Sequence, residues 1–361
     1  MPHVSPLLLA VELDGTGAHP ASWRRPDSRA QDLFTPGFWV DAVTTAERAG
    51  MDLVFLPDSF ALQSGGVRGR LDAVGIAARV APVTTRIGLI PQGPVTHTEP
   101  FHLSKAVASL DYASAGRAGW EVTVSSGAEQ ARLFGRKPEQ PGSSLWQEAD
   151  EAIEVVTRLW DSWEDDAEIR DTPTGRFIDR DKLHYIDFTG EHFSVKGPSI
   201  TPRPPQGQPL IAVRADGPYA TRVAVQRADL LRITAPDLIT AAETRSVLRA
   251  ATAAEGRDPD LIRVLLDIEV HLGESAAAAA EVGELDAWAT GPEPATLRRI
   301  GTPDDLRDLV AQAEYECAAD GLVLKPLAQA AFLDRIPAAL LSLRGRLGLP
   351  RPLNRYATER A

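Results

Sequence analysis

Short apolar segments alternate with longer segments of helical periodicity along most of the 361 residues. The apolar segments are rich in β-branched residues and bounded by Gly, Pro and Asp, a pattern that predicts buried strands. Eight segments are predicted as strands, at residues 7–13, 52–57, 86–90, 120–125, 209–213, 228–233, 261–271 and 321–324. Because strands that alternate with helices form parallel sheets, we expect an α/β fold, a TIM (β/α)8 barrel rather than an open doubly wound sheet.

Segment 110–126 shows the repeating unit most clearly. It begins with the end of an amphipathic helix, and Gly116 can take the left-handed conformation that ends it. In the strand that follows, Glu121, Thr123 and Ser125 share one face, because side chains alternate along a strand. Polar side chains near the C-terminal end of a parallel strand are typical of the catalytic mouth of a barrel.

Residues 164–205 interrupt the alternation of strands and helices. They are charged at first and then contain two short strand-like pieces, around 184–186 and 192–195. We therefore predict one barrel domain over residues 1–361, with an insertion at 164–205 between strands 4 and 5 that lies over one face. The basic, proline-containing segment 344–361 is predicted to be a C-terminal tail.

Composition and charge exclude several classes of function. The chain has 38 Lys and Arg against 50 Asp and Glu, a net charge of −12, which argues against a general nucleic-acid or anionic-membrane surface. Cys317 is the single cysteine, so a disulfide within the chain and a cysteine metal cluster are excluded, and a reducing cytoplasm is expected. The histidines lack metal-ligand spacing, so we predict no metal site. The N-terminal apolar run is too short for a signal peptide or a membrane span, and no dinucleotide or P-loop glycine motif is present.

A set of collinear motifs then resembles the bacterial-luciferase-like flavin monooxygenases, in particular the subgroup with nitrilotriacetate and dibenzothiophene-sulfone monooxygenases. The motifs are Trp23-Arg24, Phe55-Leu56-x-Asp58, Arg86-Ile87-Gly88-Leu89, Leu110-Asp111, Ser114-x-Gly116-Arg117, Trp120, Ala131-Arg132-x-Phe134-Gly135, Leu159-Trp160-Asp161-Ser162-Trp163, Gly190-Glu191-x-Phe193-x-Val195-x-Gly197-Pro198, Pro204-x-Gln206-Gly207-x-Pro209 and Gly256-Arg257-Asp258-Pro259. The resemblance implies a TIM barrel that takes reduced FMN from a separate flavin reductase. It also implies a dimer formed through barrel helices.

The resemblance also implies a set of flavin contacts, from which this sequence departs at several positions. The family positions fall on Asp58, Gln92 with Thr96 displaced beside it, Glu121, Trp146 and the phosphate cradle Ala215-Asp216-Gly217. Only Asp58 matches the residue type that the family uses there. At roughly 5 Å and an effective dielectric constant of about 20, Asp216 would repel a phosphate by about 3 kcal/mol per charge pair. Pro218 also removes an N–H donor, so we expect weak, altered or absent FMN binding.

Three of these residues allow two interpretations each. Asp58 could bond the flavin ring or a substrate, or could cap the following loop. Glu121 could be an acid/base group, or could pair with an arginine inside the barrel. Trp146 could stack on a ring system, or could simply plug the mouth.

The function implied by the resemblance is a two-component monooxygenase that uses reduced FMN and O2 on a small organic substrate, with secondary metabolism as one setting. Asp58, Thr96 and Trp146 would line the flavin and Glu121 would handle protons. The alternative is a flavin-free degenerate barrel. Such a barrel would be a non-catalytic partner of an intact homologue, or an enzyme that uses Glu121 and Asp58 for cofactor-independent acid/base chemistry. The expected assembly is a homodimer, or a heterodimer with a homologue.

Overall fold

The centre of the molecule is a closed barrel of parallel strands, seen in a computed structural model that describes residues 7–63, 65–274, 277–291, 293–336 and 354–356. The predicted fold class is confirmed. The eight barrel strands are β1 Leu8–Glu12, β2 Leu53–Leu56, β3 Gly88–Pro94, β4 Gly119–Thr123, β5 Leu210–Arg214, β6 Leu230–Ile233, β7 Arg263–Leu272 and β8 Gly321–Pro326.

Each strand pairs in parallel with the next one along the chain, and β8 pairs with β1 to close the ring. The register places Phe55 opposite Glu12, and Glu121 opposite both Gln92 and Ala212. Parallel strands end on the same side of a barrel, so the C-terminal ends of all eight form one mouth.

Helices pack around the outside of the ring and cover its apolar outer face. They are α1 Pro36–Arg48, α2 Ala73–Val80, α3 Pro100–Ala113, α4 Ala128–Phe134, α5 Gly142–Asp161, α6 Pro218–Arg227, α7 Leu238–Ala254, α8 Ala277–Trp288, α9 Pro303–Tyr315 and α10 Gln329–Arg335. The longest, α5, buries an apolar stripe that includes Ile153, Val156 and Trp160. The indole Nε1 of Trp160 donates to the carbonyl of Ser104 on α3, which fixes the two helices against each other.

Three element boundaries differ from those predicted. Strand β3 continues to Pro94, so Gln92 lies in the strand and not in the loop after it. A short strand, Arg298–Gly301, was not predicted because its charged sequence lacks a strand pattern, and it forms by pairing with the end of β7. The last helix was predicted at 327–343, and α10 ends at Arg335. The rest of that prediction lies outside the described residues, as does the predicted tail except for 354–356.

The predicted insertion between β4 and β5 contains two small antiparallel sheets. One pairs Glu168–Asp171 with Arg176–Ile178, and the other pairs Phe188–Thr189 with Ser194–Val195. The carboxylate of Glu151 on α5 accepts hydrogen bonds from the backbone N–H groups of three consecutive residues beginning at Glu191. The second sheet is therefore tied directly to the outer helical layer.

Several motif residues are part of the scaffold. Gly116 has φ of +82°, the left-handed conformation predicted for it. The buried carboxylate of Asp111 accepts from the backbone N–H groups of Ala118 and Gln206, and so joins the start of β4 to the chain that approaches β5. Arg117 donates to backbone carbonyls that include those of Ala81 and Ile87. These contacts hold the barrel together and lie away from its mouth.

Candidate functional site

The barrel interior changes from apolar to charged toward the mouth. The apolar part is made by alternate residues of the strands, which face inward. They are Leu8, Ala10, Leu53, Phe55, Ile90, Ala212, Leu230, Leu265 and Val323. The next inward position on most strands carries a charge or an amide. We call these seven residues the charged layer: Glu12, Gln92, Glu121, Arg214, Arg232, Asp267 and Lys325.

Arg232 on β6 is the centre of the charged layer and is fully buried. Its Nη1 donates to both oxygens of Glu121, at 2.9 and 3.1 Å. Its Nη2 donates to Glu12 at 2.6 Å, and Nε and Nη2 together bind Asp267 at 2.9 Å each. The guanidinium also lies 4.4 Å from the ring centre of Phe55, which forms the top of the apolar part. One cation thus binds carboxylates from strands β1, β4 and β7.

Three carboxylates around one guanidinium leave an excess of negative charge, which two further cations offset. Arg214 Nη2 lies 3.2 Å from Glu12 and 3.4 Å from Asp267. Lys325 Nζ lies 3.6 Å from Glu12 and 3.9 Å from Asp267. The six ionised groups therefore balance, as burial of charge requires.

The pKa values of the layer follow this arrangement. Burial by itself would raise the pKa of Glu12, but Arg232, Lys325 and Arg214 outweigh it and hold that pKa far below its ordinary value. Burial would lower the pKa of Arg232, but its carboxylate partners raise it well above its ordinary value. Both groups are therefore ionised at neutral pH.

Three of the residues proposed from the sequence form one hydrogen-bonded chain. The Asp58 backbone N–H donates to Gln92 Oε1 at 2.9 Å, and Gln92 Nε2 donates to Glu121 Oε2 at 2.8 Å. Glu121 is fully buried and bound to Arg232, which is the second of its two interpretations. Both ends of the Gln92 amide are occupied, so this side chain joins the loop after β2 to the charged layer.

Asp58 lies at the edge of the mouth and is half-buried. Its carboxylate accepts from the backbone N–H groups of Ser59, at 2.7 Å, and Ala73, the first residue of α2, at 2.9 Å. The capping interpretation is therefore realised. Burial raises the pKa of Asp58, and these two N–H groups oppose the rise. Each carboxylate oxygen retains a lone pair that a ligand could use.

A second polar region, at the ends of β3 and β4, differs from the charged layer because its side chains lack partners. We call His97, Thr123 and Ser125 the open cluster. Within the described residues, both ring nitrogens of His97 and the hydroxyls of Thr123 and Ser125 are buried without a hydrogen bond. The neighbouring Thr96 accepts from the backbone N–H of Ser125 at 2.9 Å, which holds the two loops together. Buried polar groups without partners are uncommon in folded proteins and often belong to functional sites.

His97 stands in an aromatic wall. Its ring stacks on Phe134 with centroids 4.7 Å apart and planes at 14°, and Phe134 packs edge-on against Phe60. Burial, and then the charge of Lys137, lower the pKa of His97. A neutral imidazole offers one donor and one acceptor, so the wall presents hydrogen-bonding capacity within an apolar surface.

The remaining proposed residues lie at other points of the rim. Trp146 on α5 is half-buried and packs against the hydrophobic core, as the plug interpretation states. Asp216 and Gly217 are exposed before α6, and Asp216 forms no hydrogen bond or ion pair with the part of the chain that is described. Because Asp216 is solvated, an effective dielectric constant near that of water applies, and its repulsion of a phosphate at roughly 5 Å falls to about 1 kcal/mol.

The mouth therefore fits a flavin in part. The open cluster offers unused donors and acceptors, and the N–H groups of Tyr219 and Ala220 in the first turn of α6 can bind an anion. Pro218 occupies the first position of α6 and contributes no donor there. The hydroxyl cradle expected from the family is absent from segment 215–217, so the phosphate would depend on backbone groups.

The sequence interpretation missed most of the charged layer. Glu12, Arg232, Asp267 and Lys325 each interrupt an otherwise apolar strand, two residues beyond an inward apolar position. That period of two was the available signal, because a charge on the inward face of a barrel strand needs a partner across the barrel. It could not show which residues pair.

Metal ligands and membrane-spanning helices do not occur in the part of the chain that is described. Within residues 7–63, 65–274, 277–291, 293–336 and 354–356, no group of three or more His, Cys, Asp or Glu side chains is arranged to hold a metal ion. No helix in these ranges is both long and apolar enough to cross a membrane.

Sequence comparison identifies the relatives of this chain. Residues 15–325 match the family described as luciferase-like monooxygenase. N-acetyl-S-(2-succino)cysteine monooxygenase of Bacillus subtilis (strain 168) is 36% identical over 75% of this chain and 62% of its own length. Dibenzothiophene-sulfone monooxygenase of Rhodococcus erythropolis is 34% identical over 74% of this chain and 61% of its own length. This chain thus spans about three fifths of the length of these relatives.

Another relative matches almost from end to end. It is one of two subunits of the pristinamycin IIA synthase of Streptomyces pristinaespiralis, and it is 31% identical over 91% of this chain and 94% of its own length. The second subunit of the same synthase is 31% identical over 72% of this chain. Among solved structures, riboflavin lyase with modified FMN and riboflavin superposes with a TM-score of 0.82, at 23% identity, over 97% of this chain and 94% of its own.

Proposed function

Because this chain belongs to the luciferase-like monooxygenase family, we propose that it is the oxygenating component of a two-component system that acts on a small organic substrate. The system uses reduced FMN, which a separate flavin reductase supplies, and O2. The open cluster is the observation that carries the proposal, since its buried donors and acceptors lie at the barrel mouth and await a ligand. The riboflavin lyase with modified FMN, a structural neighbour, supports the choice of cofactor.

Four parts of the chain would hold the flavin. The free lone pairs of Asp58 and the imidazole of His97 would accept or donate hydrogen bonds, and Trp146 would cover one side of the mouth. The first turn of α6, after Asp216 and Gly217, would bind the phosphate through its N–H groups. Bound reduced FMN would supply the electrons that activate O2. The apolar wall around His97 would keep water from the reacting centre.

Glu121, Gln92 and Thr96 take a different role in this proposal. Glu121 is held by Arg232 and Gln92 in a fully buried position, so it positions its neighbours and does not exchange protons with a ligand. Gln92 fixes the loop that carries Asp58, and Thr96 fixes the loop that carries Ser125. These residues shape the mouth from below.

Titration of the purified protein with FMN and with reduced FMN, followed by O2 uptake with a flavin reductase present, tests the function. We expect reduced FMN to bind in the micromolar range and O2 to be consumed. Asp58→Asn should weaken binding by about tenfold because one N–H-accepting oxygen is replaced. Asp72→Asn, at the N-cap of the same helix α2, is the matched control and should bind normally. Absence of flavin binding by the unaltered protein would refute the proposal.

A second candidate is a flavin-free subunit that pairs with an intact homologue. Its support is the nearly end-to-end match to one subunit of a synthase whose other subunit is also a relative, together with the missing hydroxyl cradle. In that case the purified protein binds no flavin alone, and a co-expressed homologue copurifies with it and carries the flavin. A homodimer that binds reduced FMN would exclude this candidate.

The setting of the enzyme is also proposed. The thiol of Cys317 is exposed and not in a disulfide, which fits a reducing compartment, and a reductase that supplies reduced FMN works in the same compartment. We therefore place the protein in the cytoplasm. Fractionation of the producing cells, with the reductase as a marker, checks this placement.

A further inference from the structure

The charged layer is open to solvent on one side. Arg232 at its centre is fully buried, whereas the side chains of Arg214 and Lys325 are 27% and 19% exposed. These two residues stand near the C-terminal ends of β5 and β8, the side of the barrel on which the mouth lies. Their exposed atoms are therefore reached from the mouth.

Several N–H donors on these two side chains have no acceptor among the described residues. Arg214 donates a hydrogen bond only through Nη2, to Glu12 at 3.2 Å, so its Nε and Nη1 are free within that part of the chain. Lys325 Nζ lies 3.6 Å or more from its nearest carboxylate oxygens, which is beyond hydrogen-bond distance. These nitrogens are absent from the buried polar atoms that lack a partner, so solvent and ligands can reach them.

The order of charges favours an anion at this position. The carboxylates of Glu12, Glu121 and Asp267 are 8% exposed or less, and they lie on the buried side of the two cations. A molecule that enters through the mouth therefore meets the guanidinium and the ammonium group first. A planar guanidinium edge with a neighbouring ammonium group matches the two oxygens of a carboxylate.

We propose that Arg214 and Lys325 form a recognition site for a carboxylate group of the substrate, which places the substrate among small organic acids. The inference rests on the proposed function because it assumes that the bound acid is the molecule oxygenated in the mouth. The other anion that could occupy the same donors is the flavin cofactor itself. Binding of both ligands is therefore measured.

Calorimetric titration of the full chain with succinate, and with the uncharged succinamide at the same ionic strength, tests the site. Succinate should bind and raise the melting temperature, and succinamide should do neither. Lys325→Met should weaken succinate binding by about tenfold or more, because the ammonium partner is lost, while Lys325→Arg should stay within about threefold of the unaltered protein. Lys105→Met, at an exposed position on α3, is the matched control and should leave binding unchanged.

The outcomes separate the inference from the proposed function. Equal responses to succinate and succinamide, or undiminished succinate binding by Lys325→Met, would overturn the carboxylate site. Weaker binding of reduced FMN with unchanged succinate binding would assign the two cations to the cofactor and overturn it as well. If the unaltered protein binds succinate but not reduced FMN, the carboxylate site is supported and the proposed function is wrong. Melting curves without ligand show whether each variant folds, and Lys325→Arg keeps the test decisive if Lys325→Met does not.

Discussion

Two polar regions of the barrel mouth differ in whether their hydrogen bonds are completed by the protein. In the charged layer, the donors of Arg232 are used by three carboxylates within 3.1 Å. In the open cluster, His97 and the hydroxyls of Thr123 and Ser125 have no partner within the described residues. The first arrangement stabilises the fold, while the second carries an energetic cost until a ligand or water completes it.

This difference shows how to separate structure from function among buried polar groups. Sequence reasoning ranked Glu121 as catalytic because it lies on the inward face of β4. The structure places it in the completed region, whereas Ser125, two strand positions beyond Thr123 on the same face, belongs to the open one. Position on a strand was therefore less informative than whether the side chain has a partner.

The largest expected effect is removal of the centre of the charged layer. Arg232→Met leaves Glu12, Glu121 and Asp267 buried beside one another, and we expect a loss of at least about 3–5 kcal/mol in the free energy of unfolding. Urea denaturation measures it. Arg222→Met, at an exposed position on α6, is the control and should change that free energy by less than about 0.5 kcal/mol. A loss below about 1 kcal/mol for Arg232→Met would show that the layer does not depend on its centre.

The open cluster should respond in the opposite way. His97→Phe keeps the stacking on Phe134 and removes two buried nitrogens without partners, so the free energy of unfolding should stay equal or rise by up to about 1 kcal/mol. Flavin-dependent O2 uptake should fall by about tenfold or more, since a ligand loses its hydrogen bond. His102→Phe, exposed on α3, serves as the control in both assays. Unchanged uptake would place His97 outside the functional site.

A smaller effect is expected at Asp216, which belongs to neither region. Replacing the exposed carboxylate by Asp216→Ser removes about 1 kcal/mol of repulsion and should tighten FMN binding about fivefold. Riboflavin, which lacks the phosphate, should bind with unchanged affinity. Asp308→Ser on α9 removes an equal charge at another exposed position and is the control. An equal gain for riboflavin would show that Asp216 acts on the ring and not on the phosphate.

The smallest effect is a pH dependence of stability that distinguishes the two regions. The pKa of His97 is lowered by burial, so the folded protein resists its protonation and loses stability as pH falls below the ordinary value of about 6.5. His271, whose pKa burial also lowers, contributes to the same window. Glu12, whose pKa is lowered in the charged layer, contributes stability that is lost only below about pH 4.5.

Melting temperatures measured between about pH 8 and pH 3 should therefore fall in two steps. His97→Phe should reduce the first step and leave the second unchanged. A first step of the same size in this variant would mean that His97 is protonated as easily in the folded protein as in the unfolded one.

The amino-acid sequence by itself determined the barrel and the family. Both were readable because they depend on local and additive signals: apolar periodicity predicts strands and helices one at a time, and a motif such as Leu110-Asp111 with Gly116-Arg117 keeps its spacing whatever surrounds it. Asp111 and Arg117 are also scaffold residues, so the resemblance carried the fold more securely than it carried the site.

Only the tertiary structure decided which polar groups are completed. Glu12 and Arg232 are separated by 220 residues along the chain, yet they meet at 2.6 Å because the closed ring places their strands across one interior. No local pattern records such a contact, since it depends on closure, on the register of every strand between them and on side-chain direction. For the same physical reason, the partnerless state of the His97 ring and the Ser125 hydroxyl within the described residues became visible only once every neighbouring group had a position.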